Sequence, residues 1–201
     1  MQLTSQAEWA AYLAPCTYID FTHPDVWRKA HALTAGCTDD RERIARCFAF
    51  VRDEIKHSWD YRLNPVTCKA SDVLQHGTGY CYAKSHLLAA LLRANGIATG
   101  LCYQKLSLSG ATPPFCLHGL NAVWLVDEQA AGQWYRLDPR GNKPGVDAQF
   151  CPPHERLAFP ITHPGEADLP GVWAAPWPAV TRVLAQHPSV EAVFAHLAEM
   201  V

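Results

Sequence analysis

Gly77-Thr78-Gly79-Tyr80-Cys81-Tyr82-Ala83-Lys84 runs directly into Ser85-His86-Leu87-Leu88-Ala89-Ala90-Leu91-Leu92-Arg93-Ala94-Asn95-Gly96. The two glycines make a flexible turn, and the stretch behind them is strongly helix-forming. Ala83, Leu87, Leu88, Leu91 and Leu92 recur at helical spacing and form its buried face. Asn95-Gly96 is a C-terminal stop. Cys81 therefore falls in the first turn of a buried helix, where backbone amides lack intrahelical acceptors and partial positive charge gathers. That placement matters chemically. A free cysteine has a pKa of ~8.5, and a helix N-terminus or a histidine partner lowers it to ~3.5–7.5, which yields the thiolate nucleophile.

Upstream, Thr38-Asp39-Asp40-Arg41-Glu42 reads as a helix start with acids in its first turn. Ile44, Cys47, Phe48, Val51 and Ile55 continue it as one apolar stripe, to about Lys56. Residues 59–65 read as loop, and Ser71-Asp72 opens a short helix ending near Gly77. Downstream the pattern turns to strands over residues 99–106, 117–126 and 134–137, separated by a Ser/Gly/Pro loop and a polar turn. Residues 139–178 are proline-rich and irregular, and a final amphipathic helix over 189–199 puts Val190, Val193, Phe194 and Leu197 on one side. Helices first and antiparallel strands after is α+β order. No boundary divides the 201 residues, so one domain is expected over 1–201, its core at about 38–143.

The strand pair supplies a partner for the thiol. His118 stands near the start of one strand and Asp138 at the end of the next. In an antiparallel hairpin those two ends lie side by side. A base beside Cys81, oriented by a carboxylate, completes the logic of nucleophilic catalysis. An isolated cysteine is ordinarily a small core hydrophobe, and an isolated His118 or Asp138 has equally plain readings. The three together outweigh them.

Gly-Tyr-Cys-Tyr-Ala-Lys, the Leu-Leu-Ala-Ala-Leu-Leu-Arg-Ala-Asn-Gly-Ile run, a downstream histidine and Trp134-Tyr135-Arg136-Leu137-Asp138-Pro139 resemble the transglutaminase-like superfamily over roughly residues 43–142. The resemblance implies a papain-like core, with the cysteine helix packed on an antiparallel sheet and Cys81, His118 and Asp138 as the catalytic triad. It implies thiol acyl transfer on a peptide, protein or small amide substrate, through a thioester resolved by water or an amine. The superfamily spans cross-linking enzymes, proteases, peptide N-glycanases and non-catalytic members, so chemistry is narrowed more than biology. Many members carry an aromatic residue directly after the histidine, where this chain has Gly119, and Asn121 with Arg140-Gly141-Asn142-Lys143 look like traits of a bacterial subgroup.

The Cys81 amide would donate one hydrogen bond to the oxyanion. For the second donor, Gln75, Trp59 and Tyr61 are candidates and nothing in the sequence chooses among them. His86, five residues past Cys81, is off its face and reads as surface or as support behind the site. Cys116 shares the His118 strand face and reads as packing, with a Cys81–Cys116 disulfide the alternative. Trp124, Trp134, Trp173 and Trp177 read as core.

Two other function classes remain. Cys81, Cys116, His118 and Asp138 form a thiolate–imidazole set, but their spacing fits no zinc motif, and no metal is expected. A catalytically silent peptide- or protein-binding module on the same fold is the other. Composition narrows the rest: 49% hydrophobic, 18% charged and a net charge of −2 are globular values and give no basic footprint for nucleic acid. No apolar run reaches the ~20 residues of a membrane helix. Met1-Gln2-Leu3-Thr4-Ser5 lacks a signal-peptide pattern, so a cytoplasmic location is expected, with the eight cysteines mostly reduced. None forms a C-x-x-C pair, no calcium loop is present, and no cofactor is expected.

Overall fold

The structure is a computed structural model describing residues 6–108, 113–126 and 131–197. The signal-peptide reading at residues 1–5 and the last residues of the terminal helix lie outside them. The helices are α1 (Gln6–Ala11), α2 (Pro24–Thr34), α3 (Asp40–Ala49), α4 (Ser58–Tyr61), α5 (Ala70–His76), α6 (Cys81–Ala94), α7 (Pro178–Gln186) and α8 (Val190–Ala195). The strands are β1 (Lys56–His57), β2 (Thr78–Gly79), β3 (Thr99–Ser107), β4 (Phe115–Val126), β5 (Gly132–Leu137), β6 (Gln149–Cys151), β7 (His154–Arg156) and β8 (Ala167–Asp168).

Helix α6 is the axis of the molecule. It meets α2, α3 and α5 on one side and β3 and β4 on the other, so all fourteen of its residues are buried. The amphipathic reading is corrected here: its polar side chains are inside as well. They survive burial by hydrogen-bonding to backbone carbonyls. Arg93 donates to Thr99 O through Nε and Nη2 (3.0 and 2.7 Å), to Ala14 O (2.7 Å) and to Ala174 O (2.7 Å). Lys84 donates to the carbonyls of Ile55 and Arg52. His86 is not at the surface, being 1% exposed. Its Nδ1–H donates to Cys68 O (2.7 Å), and burial pushes its pKa down to about 4, so the ring stays neutral.

Asp39 caps α3 by accepting from Glu42 N (2.8 Å). The helix does not stay α-helical to Lys56: after Ala49 it widens into a π turn at Phe50–Glu54, and Ile55 is extended. The carbonyls of Arg52 and Ile55 there turn to the Lys84 ammonium. Part of the stretch 59–65 expected as loop is helical: Ser58–Tyr61 form the single turn α4, ended by Arg62 at φ 53°. Gly77, at φ +65°, closes α5 as expected.

The main sheet is antiparallel with order β5-β4-β3-β8. Asn121 pairs with Leu137 and Gln104 with His118, so His118 and Asp138 meet at one end of the β4–β5 pair, as the hairpin argument requires. Residues 139–178 are largely irregular, but they contribute β6, β7 and the edge strand β8. Two contacts clasp helix to sheet: the Tyr82 hydroxyl donates to Leu117 O, and Asn121 Nδ2 donates to Ser85 O (2.9 Å). A smaller parallel bridge pairs β1 with β2 and sets His57 beside Gly79. Ser189 caps α8, which turns Val190 and Val193 into the core and stacks Phe194 on Trp59 at 3.6 Å and 4°.

Candidate active site

Cys81 opens α6 behind an extended Tyr80 whose side chain makes no cap. The amide at this first position has no intrahelical acceptor, and Cys81, 6% exposed, lines a cleft. His118 comes from β4 onto the same cleft, close enough to Cys81 for the sulfur to act on its charge. The opposite ring nitrogen, Nε2, lies 2.7 Å from Asp138 Oδ2, which leaves Nδ1 to the thiol. Phe159 holds the imidazole edge-to-face at 5.0 Å and 85°. Asp138 is 0% exposed and is fixed by the backbone N–H groups of Arg140 and Ala158, both at 3.1 Å.

The electrostatics follow from that chain. Burial opposes charging His118, but Asp138 and Cys81 outweigh it and raise its pKa to about 10. Burial likewise opposes ionisation of Asp138, yet His118 and the two amides hold its pKa below the usual carboxylate range. The arrangement thus favours an imidazolium against the Asp138 carboxylate. A stability consequence follows. The imidazolium is stabilised in the folded state relative to the unfolded chain, whose histidine titrates near 6.5. The contribution is complete below about pH 6.5 and is lost as pH rises through about 10, with a limiting slope of about 1.4 kcal/mol per pH unit. Buried Lys84, lowered to about 7 by burial and by Arg140, gives the opposite slope over much of that range. The informative quantity is therefore a difference. Guanidinium unfolding of wild type minus His118→Ala is expected to shrink by a few kcal/mol between about pH 7 and 10, and a pH-independent difference would contradict the ion chain.

Residues 28–139, more than half of the chain, match the model of the transglutaminase-like superfamily. The chain belongs to the transglutaminase-like superfamily. Among solved structures it is similar to a proposed cysteine protease from Cytophaga hutchinsonii (15% identity, 68% of this chain and 43% of that one, TM-score 0.52). It also matches a proposed protease from Parabacteroides distasonis (12% identity, 76% and 31%, TM-score 0.43), and a TGase (13%, 76% and 37%, TM-score 0.44). The chain spans less than half of each of these proteins. The first supports the fold. No curated protein matches.

In this transglutaminase-like chain the cleft over Cys81 has a volume of ≈ 580 Å³. Its walls are mostly apolar, including Trp59, Leu106, Leu117, Phe159 and Phe194. Of the three candidate oxyanion donors only Trp59 lines it, held between Phe194 and the Arg62 guanidinium (3.3 Å from the ring centre). Tyr61 is 56% exposed, sits under Lys56 and faces a different hollow. Gln75 is exposed on α5, in a depression with His23 and Arg28. These two are corrected: neither reaches Cys81. Cys116 lines the cleft as a free thiol, and burial, reinforced by Cys81, pushes its pKa up to about 12, as suits a packing residue. Cys81 is also free. Among the described residues no three His, Cys, Asp or Glu side chains converge as metal ligands. Trp173 is 43% exposed, against its reading as core, and stacks edge-on against Trp177.

Sequence reasoning missed one group. His57 lines the same cleft as Cys81 and His118. Beside it Asp60 takes two bonds from Arg140 (2.8 and 3.1 Å) and one from Lys143 (2.7 Å). The Arg140–Lys143 run was visible as a motif, but Asp60 and His57 carried no signal that pointed to it.

Proposed function

We propose that the chain is a thiol acyl-transfer enzyme acting on a peptide, protein or small carboxamide. The linear chain Cys81–His118–Asp138 at the start of a buried helix, opening into an apolar cleft, supports this reading most directly. The Cys81 thiolate adds to the carbonyl carbon and the C=O pair moves onto oxygen. The Cys81 amide, pre-oriented by the helix, donates to that oxyanion. As the tetrahedral species collapses, the C–N bond breaks and His118 Nδ1–H protonates the departing amine, leaving a thioester. Water or a second amine then attacks, giving its proton to His118, and Cys81 leaves as thiolate. Asp138 keeps the imidazole in the required orientation and stabilises its cationic form. Hydrolysis and transfer share the thioester and differ only in which acceptor enters the cleft.

The reading is tested by iodoacetamide alkylation across pH, followed by peptide mass spectrometry. Cys81 is expected to label ahead of the other seven cysteines below about pH 7, although Cys151 is exposed and Cys16, Cys37 and Cys68 are only partly buried. If Cys81 labels no faster than the rest, the enzyme reading gives way to a binding role on the same fold.

A further inference from the structure

His57 is 7% exposed and rigidly placed. The β1–β2 bridge sets it opposite Gly79, two residues before Cys81, and its ring meets Tyr80 edge-on at 5.6 Å and 76°. Its Nδ1 is buried without a hydrogen-bond partner, the nearest carboxylate oxygen being Asp60 Oδ2 at 3.6 Å. An unpaired buried polar atom costs about 1–3 kcal/mol, so the orientation of this ring calls for a physical account.

The charges around it supply one. Asp60 takes three bonds from Arg140 and Lys143, so the cluster that it forms with them carries net positive charge. Lys84 and His118 approach from α6 and β4. Burial first, then Arg140, lower the pKa of His57 well below 6.5, with Asp60 opposing more weakly than Arg140. The ring is therefore neutral and carries one proton. With Asp60 engaged by Arg140 and Lys143 and beyond hydrogen-bond reach of Nδ1, the lone pair is assigned to Nδ1 and the proton to Nε2. Nε2 is then the N–H donor of a ring that lines the same cleft as Cys81 and His118.

We propose that His57, through Nε2–H, is the second oxyanion donor, acting beside the Cys81 amide. This rests on the acyl-transfer reading of the site. A neutral imidazole suits that role, because it donates to developing negative charge without repelling the His118 imidazolium and without offering a competing acid. When Cys81 Sγ bonds to the carbonyl carbon, the displaced C=O pair is received by two N–H groups on one wall. The departing amine is protonated by His118 on another. His57 itself exchanges no proton.

The experiment separates oxyanion support from thiol activation. Full-length protein is acylated in a single turnover with p-nitrophenyl acetate, following p-nitrophenolate and the acetylated Cys81 peptide. The same samples are alkylated with iodoacetamide, a displacement at saturated carbon that forms no oxyanion. His57→Ala is expected to slow acylation about 10²–10³-fold. His57→Gln, which keeps an N–H donor, recovers a large part of that. Alkylation of Cys81 in both variants stays within about twofold of wild type, which also reports that the site is folded. Acylation at the wild-type rate in His57→Ala overturns the assignment. So does a parallel loss of acylation and alkylation, which would make His57 a packing residue. A larger acylation loss in Trp59→Phe than in His57→Ala would give the donor role to Trp59 instead. If wild-type Cys81 is neither alkylated preferentially nor acylated, the acyl-transfer reading fails before any variant is compared, and this assignment falls with it.

Discussion

Replacing His118 with alanine is expected to cut turnover of an amide substrate by about 10⁴-fold while slowing alkylation of Cys81 far less. The two reactions draw on His118 differently. Alkylation needs only the thiolate. Without the imidazolium the thiolate loses its neighbouring cation, and a free cysteine thiol is well under ~1% ionised near pH 6. A more basic thiolate is also a better nucleophile, with a Brønsted slope of about 0.4–0.5, so the net loss near pH 6 is only about tenfold. The clearer sign is the profile: the variant rate climbs about tenfold per pH unit to ~8.5, whereas the wild-type rate is nearly flat. Amide cleavage loses this and more, because amine expulsion requires a proton that only the Cys81-facing nitrogen of His118 is placed to deliver. Acylation by an activated ester, whose leaving group departs as a stable anion, is expected to fall between the two. Equal losses in alkylation, ester and amide reactions would mean that His118 acts only on the thiol and is not the acid.

How much of this was readable in advance depends on whether the signal was local. Cys81 was legible because a glycine turn followed by an uninterrupted Leu/Ala run can hardly be anything but a helix start. His118 and Asp138 were legible because antiparallel pairing brings the start of one strand to the end of its neighbour, and the observed register does so. The full burial of α6 was not legible. Lys84, His86 and Arg93 are side chains expected to seek solvent until the carbonyls of Ile55, Cys68, Thr99, Ala14 and Ala174 are seen around them, and those come from five separate segments. The donor candidates divided for a similar reason. Trp59 and Tyr61 are two residues apart on one helical turn, so they point to opposite sides. His57 carried no sequence signal at all, because its position is set by a two-residue pairing with a segment more than twenty residues away.

Gly119, the departure from the superfamily's aromatic, is the residue expected to set the spacing of the whole site. A Cβ there would lie 2.8 Å from Tyr82 Cδ1 and 3.2 Å from Tyr82 Cα. The backbone is ordinary strand, so the constraint is contact and not conformation. Tyr82 cannot swing aside: it is 2% exposed and its hydroxyl is tied to Leu117 O. Gly119 follows His118 as Tyr82 follows Cys81, so the pair that would clash adjoins the pair that must touch. Gly119→Val must therefore push β4 away from the start of α6. The overpacking is expected to destabilise the fold by about 1–3 kcal/mol. Because a displacement of about 1 Å at a reacting pair costs about 10²-fold, amide turnover is expected to fall by that factor and the flat alkylation profile to be lost. Leu88→Ala is the control. It empties a fully buried position on α6 away from the cleft, and is expected to cost more stability, about 2–5 kcal/mol. Below its melting range it should leave the Cys81 alkylation profile unchanged. If Gly119→Val keeps the wild-type profile, the close approach at Tyr82 is mere packing and the Cys81–His118 distance is set elsewhere. If Leu88→Ala loses the profile as readily, loosening α6 anywhere is enough to part the pair, and the glycine has no special claim on it.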